Sequence, residues 1–487
     1  LKQDGHAPAI MWFRQDLRLA DHAALTAAMA GGRPVLPVYV LDDASPGPWA
    51  MGGASRWWLH HSLLSLRESL RMAGAPLVLR RGRAAEVLPA LLAEIGGAEI
   101  HAGRMHEPWA RAMDAAVETA APGALRLHRT STLFELDGIR TKTGGIYGVY
   151  TPFANNLRQR GGPAQAIPAP AHIPAPPAPA SDQLDDWGLL PTRPDWAAGF
   201  RATWRPGEAA AHDRLRAFVA KAVHGYDIGR NLPGQPGTSM LSAHLHWGEI
   251  SPGQVWTATS EAAQGKGVDV YLGEILWREF AAYLLWHNPH LPEQPLRPRF
   301  ANLPARRAAA ELRAWQRGKT GVPIVDAGMR QLWQIGWMHN RVRMIVASFL
   351  VKHLLVPWRV GEDWFWDTLV DADLASNAAS WQWVTGCGID SQPFFRVFNP
   401  VSQGEKFDPD GAYVRRFVPE LANMPAKWLH APWTAPDQVL TDAGVRLGHD
   451  YPRPIVDLAA GRQRALDAYR DSVREDAGKD DAREEAA

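Results

Sequence analysis

Apolar and polar positions follow two rhythms along this chain. Near the start, short apolar runs of strand length alternate with a longer segment of helical spacing. The runs are AIMWF (9–13), PVLPVYVL (34–41) and LVLRRG (77–82), and SRWWLHHSLLSLRESLRMAG (55–74) lies between the last two. Strands separated by a helix predict a parallel sheet with helices on both faces. In RQDLRLADHAAL (14–25), after the first strand, Arg14, Asp16 and Arg18 precede Asp21, the expected helix cap. No GxGxxG follows that strand, so a dinucleotide fingerprint is absent.

The rhythm then breaks at GPAQAIPAPAHIPAPPAPASD (162–182), where proline sustains neither helix nor ladder. Beyond residue 206 the spacing is helical, as in LGEILWREFAAYLLWH (272–287) and GMRQLWQIGWMHNRVRMIVASFLVKHLL (328–355). The expected architecture is α/β plus all-α. An α/β domain at 8–130, a linker at 131–205 and a helical domain at 206–475 precede a charged, disordered tail at 476–487.

Composition narrows the class. A chain of 487 residues, 46% hydrophobic and 21% charged, is a soluble globular protein with no run near the roughly 20 apolar residues of a membrane span. The start lacks a basic region followed by an apolar core, so no secretory signal is expected. The single cysteine, Cys387, excludes an internal disulfide, fits a reducing cytoplasm and is poor material for zinc. Twenty-two tryptophans are the loudest feature and suit stacking on planar ligands as well as burial.

Four segments carry candidate chemistry. In EILWREF (274–280), Glu274, Trp277 and Arg278 share a helix face; taken alone, an amphipathic helix with an internal Glu–Arg pair explains it better. In WMHNRVRM (337–344), Asn340 and Met344 line one face while Arg341 and Arg343 point elsewhere. In NAASWQWVTGCG (377–388), Trp381 and Trp383 project about 200° apart, so one indole can meet a deep ligand and the other a cavity. In GTSMLSAHLHWGEISP (237–252), Thr238, Ser239 and Ser242 precede or open a helix, as a phosphate cradle or a plain cap.

These segments, together with MWFRQDLRLADH (11–22), GIYGVYTPF (145–153), GKTGVPIVDAGMRQL (318–332), DADLASNAASWQW (371–383) and FNPVSQGEKFD (398–408), closely resemble the photolyase/cryptochrome flavoproteins. The match is nearest to the microbial photolyases that repair cyclobutane pyrimidine dimers. The resemblance implies FAD held by Tyr226, Thr238, Ser239, Met240, Leu241, Ser242, Arg278, Arg343, Asp371, Asp373 and Asn377, with Asn377 beside flavin N5. It implies a cavity for a flipped-out dimer formed by Glu274, Trp277, Asn340, Met344 and Trp383. Trp381 and then Trp358 become an electron-transfer chain, and Arg230, Arg341, Arg396 and Lys406 a cationic rim for phosphates. The implied reaction is electron donation from light-excited reduced FAD to the dimer, with return of the electron. The implied partner is UV-damaged DNA, bound by a monomer without strong sequence preference.

Two positions depart from the family pattern. A third, surface tryptophan is missing near Ala305, which leaves Trp333 and Tyr39 as substitutes. Pro292 and Glu293 stand where folate-binding relatives carry a Cys–Lys pair, although Glu107 matches a folate-contacting glutamate. Methenyltetrahydrofolate is therefore favoured over a deazaflavin as antenna. A (6-4) photolyase would need a histidine pair at His339–Asn340, and a cryptochrome commonly has a long tail and an incomplete cavity.

Overall fold

The computed structural model describes residues 7–301, 303, 305–390 and 396–484, with side chains as far as Asp471 except that of Arg299. The sheet is wholly parallel and has five strands in the order β3-β2-β1-β4-β5. They are β1 (Ala9–Phe13), β2 (Val35–Leu41), β3 (Val78–Arg81), β4 (Glu99–Gly103) and β5 (Leu125–His128). Every residue of β1 and β2 is buried, as befits central strands covered on both faces. The apolar runs foretold β1 to β3. The other two, EIHAG and LRLH, mix polar and small residues with apolar ones and give no continuous run.

The loop after β1 corrects the capping expectation. His22, not Asp21, caps the Ala23–Ala28 helix, its Nδ1 accepting from the Leu25 N–H at 3.2 Å. Asp21 adopts φ +51° and its carboxylate instead accepts from Ser251 Oγ and from the Ile167 N–H. The proline-rich segment is extended and docks on the sheet domain. Its Ile173 N–H donates to Ala73 O, its Pro174 O accepts from Val35 N–H, and its Asp182 N–H donates to Leu79 O.

From Glu208 to Glu484 the fold is helical, and no strand occurs there among the described residues. The final helix, Leu458–Glu484, runs into the charged segment at 476–487, whose side chains lie outside those described. Among the described residues no helix is long and apolar enough to cross a membrane.

Buried carboxylates fasten the two regions together. Glu249 is fully buried and accepts from Trp58 Nε1 and Ser62 Oγ of the Gly53–Met72 helix, and from the Gly207 N–H. Its other oxygen meets His244 Nδ1. Beside it Gly248, at φ +62°, lies against the β1 loop, where a Cβ would stand 2.2 Å from Gln15 O. Such a buried, fully used acid is costly to remove because its donors stay behind. Glu249→Ala is expected to lower stability by about 3–5 kcal/mol, read as a large fall in melting temperature; an unchanged melting curve would contradict this.

Candidate active site

The Gly237–Ser242 segment is shaped by close backbone approach. Gly237 rests on Gly229, where a Cβ would stand 2.5 Å from the Gly229 oxygen, and Met240 takes φ +51°. Ser239 Oγ accepts from the Leu241 N–H, and Ser242 Oγ accepts from Trp337 Nε1 at 3.1 Å. Leu241 is buried and caps the Ser242–His246 helix, while Thr238 and Ser239 stay half-buried. Tyr226 is buried against Tyr271, with ring centroids 5.1 Å apart.

Charged groups on three helices face this segment. Arg278, on the Lys266–His287 helix, donates to Ser131 O at 2.6 Å and to Leu245 O at 3.3 Å. Arg343, on the Asn340–Ser348 helix, donates from Nη2 to both oxygens of Asp371, at 3.1 and 2.8 Å, and from Nε to Met338 O. Asp373 caps the Leu374–Thr385 helix through the Ser376 N–H. Burial alone would raise the Asp373 carboxyl, but His246 and Arg278 outweigh it and hold the group well below the usual carboxylate range. Asn377 is buried and donates through Nδ2 to Glu362 O at 3.1 Å. Hydroxyls, a guanidinium and a fixed Arg–Asp pair are a donor set that fits a pyrophosphate and a polar heteroaromatic ring.

Arg230 lies over the Tyr226 ring at 5.7 Å and pairs with Glu274. This excludes the internal Glu274–Arg278 pair of a plain amphipathic helix, since the cation for Glu274 is Arg230, just past the Tyr226–Gly229 helix. Burial pushes the Glu274 carboxyl up, opposed by Arg230. Arg341 donates to Asn231 Oδ1 at 2.6 Å, reaches Met344 Sδ at 3.7 Å and covers the Phe407 ring at 4.4 Å. Arg341 thus folds over Met344 instead of pointing elsewhere. Lys406 lies 5.3 Å from the same Phe407 ring. Trp277, Asn340 and Arg396 are exposed, and Trp383 and Met344 are half-buried. Phe407 joins the cations into one rim, a role its place inside FNPVSQGEKFD did not advertise.

Of the two tryptophans of NAASWQW, Trp381 belongs to an apolar core cluster and Trp383 is half-buried and packs against that same cluster. Trp381 is 2% exposed and fills the notch at Gly361, where a Cβ would stand 2.1 Å from its Cη2. Phe365 and Trp315 meet it edge-on at 5.1 and 6.5 Å. Trp358 opens the Trp358–Thr368 helix within the same apolar cluster. Sequence reading missed Trp315, which is far from Trp381 in the chain. Ala305 is exposed; Trp333, also exposed, stacks on Trp364 at 6.2 Å, whereas Tyr39 lies in β2 beside Trp187.

Glu107 lines a polar cavity of about 500 Å³ between the two regions, with Arg104, His106, His246, Arg278 and Asp373. Burial pushes its carboxyl up. A neighbouring cavity of about 690 Å³ is more aromatic, walled by Trp12, Tyr39, Trp49, Trp109, Trp247 and Trp366. Cys387 is buried, its thiol pushed up to about 12 by burial. Among the described residues no cluster of His, Cys, Asp or Glu could hold a metal ion.

A parallel-sheet domain joined to a helical domain with this cradle agrees with what comparison with known proteins finds. Residues 9–176 match the family model for DNA photolyase, and residues 271–471 match that for the FAD binding domain of DNA photolyase. The chain is 50% identical to the deoxyribodipyrimidine photo-lyase of Agrobacterium fabrum, over 95% of this chain and 98% of that protein. The chain belongs to the DNA photolyase family. A solved structure of a bacterial class III photolyase from Agrobacterium tumefaciens aligns with TM-score 0.94 and 49% identity, covering 97% of this chain and 99% of that one. Cryptochrome-1 of Arabidopsis thaliana is 36% identical over 94% of this chain and 70% of its own length.

The Arg343–Asp371 pair makes the cradle testable. Asp371→Ala leaves a partly buried guanidinium without its carboxylate, a loss of about 3–5 kcal/mol for a buried pair. Purified variant protein is expected to carry clearly less FAD per chain by absorbance; a full flavin complement would contradict this role.

Proposed function

We propose that this chain repairs cyclobutane pyrimidine dimers in DNA, using light and FAD. The observation that carries the reading is Arg230, which lies over the Tyr226 ring at 5.7 Å and pairs with Glu274, so that a residue expected at the flavin and one expected at the lesion adjoin the same guanidinium. The proposed cofactor and lesion sites thereby adjoin, as short-range electron transfer requires. FAD, when bound in reduced form, supplies the light-driven electron that splits the dimer and takes it back.

The protein's own residues do the rest. A dimer inside a duplex must leave the stack, and a damaged base pays least for doing so. Trp277 and Trp383 offer indole walls for the displaced pyrimidines, and Glu274, anchored by Arg230, meets their hydrogen-bonding edge. Arg341, Lys406 and Arg396 face backbone phosphates, which favours binding without strong sequence preference. Asn377, anchored on Glu362 O, and the Arg343–Asp371 pair orient the flavin. Trp381 and Trp358 provide the inner steps by which electrons reach it. The finer reading is a cytoplasmic monomer.

His339 speaks against (6-4) chemistry. It is buried and caps the Asn340–Ser348 helix, its Nδ1 accepting from the Arg341 N–H. Burial first, then Arg341 and Arg343, pushes the imidazole down to about 3, so it stays neutral and lacks the acidic imidazolium proton. Repair should therefore show no step near the ordinary histidine pKa of about 6.5; a rise in repair as pH falls through that value would favour a protonating histidine.

For the second chromophore we favour methenyltetrahydrofolate, whose pterin edge Glu107 can bind. A released pterin in denatured extracts would support this, whereas a deazaflavin would move the antenna to the more aromatic cavity.

The direct experiment is illumination of the reduced protein, without oxygen, with DNA carrying either a thymine dimer or a (6-4) lesion. Light-dependent loss of the thymine dimer alone is expected. Trp383→Ala is expected to weaken dimer binding roughly 5- to 150-fold, the equivalent of about 1–3 kcal/mol for a stacked base, and Glu274→Ala roughly 10- to 150-fold, the equivalent of about 1.5–3 kcal/mol for a hydrogen bond to a charged group. No repair of either lesion by flavin-loaded protein would favour the alternative, a cryptochrome-type blue-light sensor that repairs nothing.

A further inference from the structure

One ring face of Trp277 is covered. Tyr150 lies parallel to the indole, with ring centroids 3.7 Å apart and planes 6° from parallel. Phe280 meets the indole edge-on at 5.9 Å. Trp277 nevertheless remains 36% exposed, among the most exposed large apolar residues of the protein.

Tyr150 is itself anchored at both ends. Its N–H donates to Asp390 Oδ2 at 2.9 Å, and its phenol O–H donates to Gly273 O at 2.8 Å. Gly273 lies one turn before Trp277 in the Lys266–His287 helix, and a Cβ there would stand 3.5 Å from the phenol oxygen. Burial pushes the phenol up to about 12, so it remains a donor at working pH. Phe280 also packs edge-on to Tyr150, at 6.0 Å. The stack thus has a fixed backing, whereas an unsupported surface indole samples several rotamers.

We propose that Tyr150 is a positioning residue for lesion binding, holding Trp277 so that its other face meets the flipped pyrimidine in a three-ring stack of phenol, indole and base. The inference rests on the dimer-repair reading above. Its physical basis is preorganisation: the indole is ordered during folding and not when DNA arrives. A purely structural role for Tyr150, clamping the Tyr150–Gln159 helix onto its neighbour, is the competing explanation.

Binding of dimer-containing and undamaged duplexes to the flavin-loaded full chain, measured in the dark by fluorescence anisotropy, separates the two. Tyr150→Leu is expected to weaken dimer binding about 2- to 12-fold, the range for loss of an aromatic pair, with binding of undamaged DNA unchanged. Tyr150→Phe keeps the stack and should stay near wild type. In a Trp277→Ala background, Tyr150→Leu should have no further effect, because the ring it positions is gone. Equal losses with and without Trp277, or a Tyr150→Leu variant that binds like wild type, would overturn the positioning role. Melting temperature and flavin content check folding, and Tyr150→Met replaces Tyr150→Leu if the latter does not fold. Absence of any dimer preference in the wild-type chain would instead sink the repair reading, and the positioning role with it.

Discussion

The junction of the two regions is centred on a buried carboxylate. Glu249 collects an indole N–H, a hydroxyl, a backbone N–H and a histidine from segments far apart in the chain. One of these, His244, belongs to the short helix that directly follows the Thr238–Ser242 segment of the cofactor cradle. The same acid that locks the sheet domain to the helical one therefore also sets where the cradle begins. Gly248 beside it lets the β1 loop approach, and Arg18 of that loop donates to Gly248 O and Thr130 O.

A similar logic recurs around the site. Glu279 is fully buried and accepts from the Leu133 and Phe134 N–H groups, so the connecting segment is pinned to the helix that carries Glu274, Trp277 and Arg278. Burial pushes its carboxyl up to about 7. Asp371 and Asp373 meet Arg343 and His246 from the start of the Leu374–Thr385 helix, whose later turns carry Asn377, Trp381 and Trp383. Two helices thus carry most of the proposed chemistry, and charged groups at their borders fix their placement. A site built on rigid elements holds its geometry better than one built on loops.

Much of this was legible in the sequence, but unevenly. The central strands announce themselves because both faces are buried and every residue is apolar. Strands β4 and β5 did not, since His101, Gly103, Arg126 and His128 interrupt their runs. Arg278, Asp371 and Trp381 became candidates through the family resemblance that their segments carry. Their partners were harder to see: Arg230 for Glu274, Trp315 and Gly361 for Trp381, and Phe407 under Arg341. Helical spacing specifies neighbours on one helix, whereas these contacts join helices distant in sequence. The exchange of Arg278 for Arg230 as the partner of Glu274 shows that limit in one residue pair.

The central claim is that the cavity beside the flavin cradle receives a dimer displaced from the duplex. A crystal structure of the flavin-loaded protein with a duplex containing a thymine dimer tests it most directly. The account predicts the dimer outside the stack, lying between Trp277 and Trp383, with Glu274 at its hydrogen-bonding edge and phosphates near Arg341 and Lys406. A dimer still stacked within the duplex, or DNA seated on another face of the protein, would contradict it.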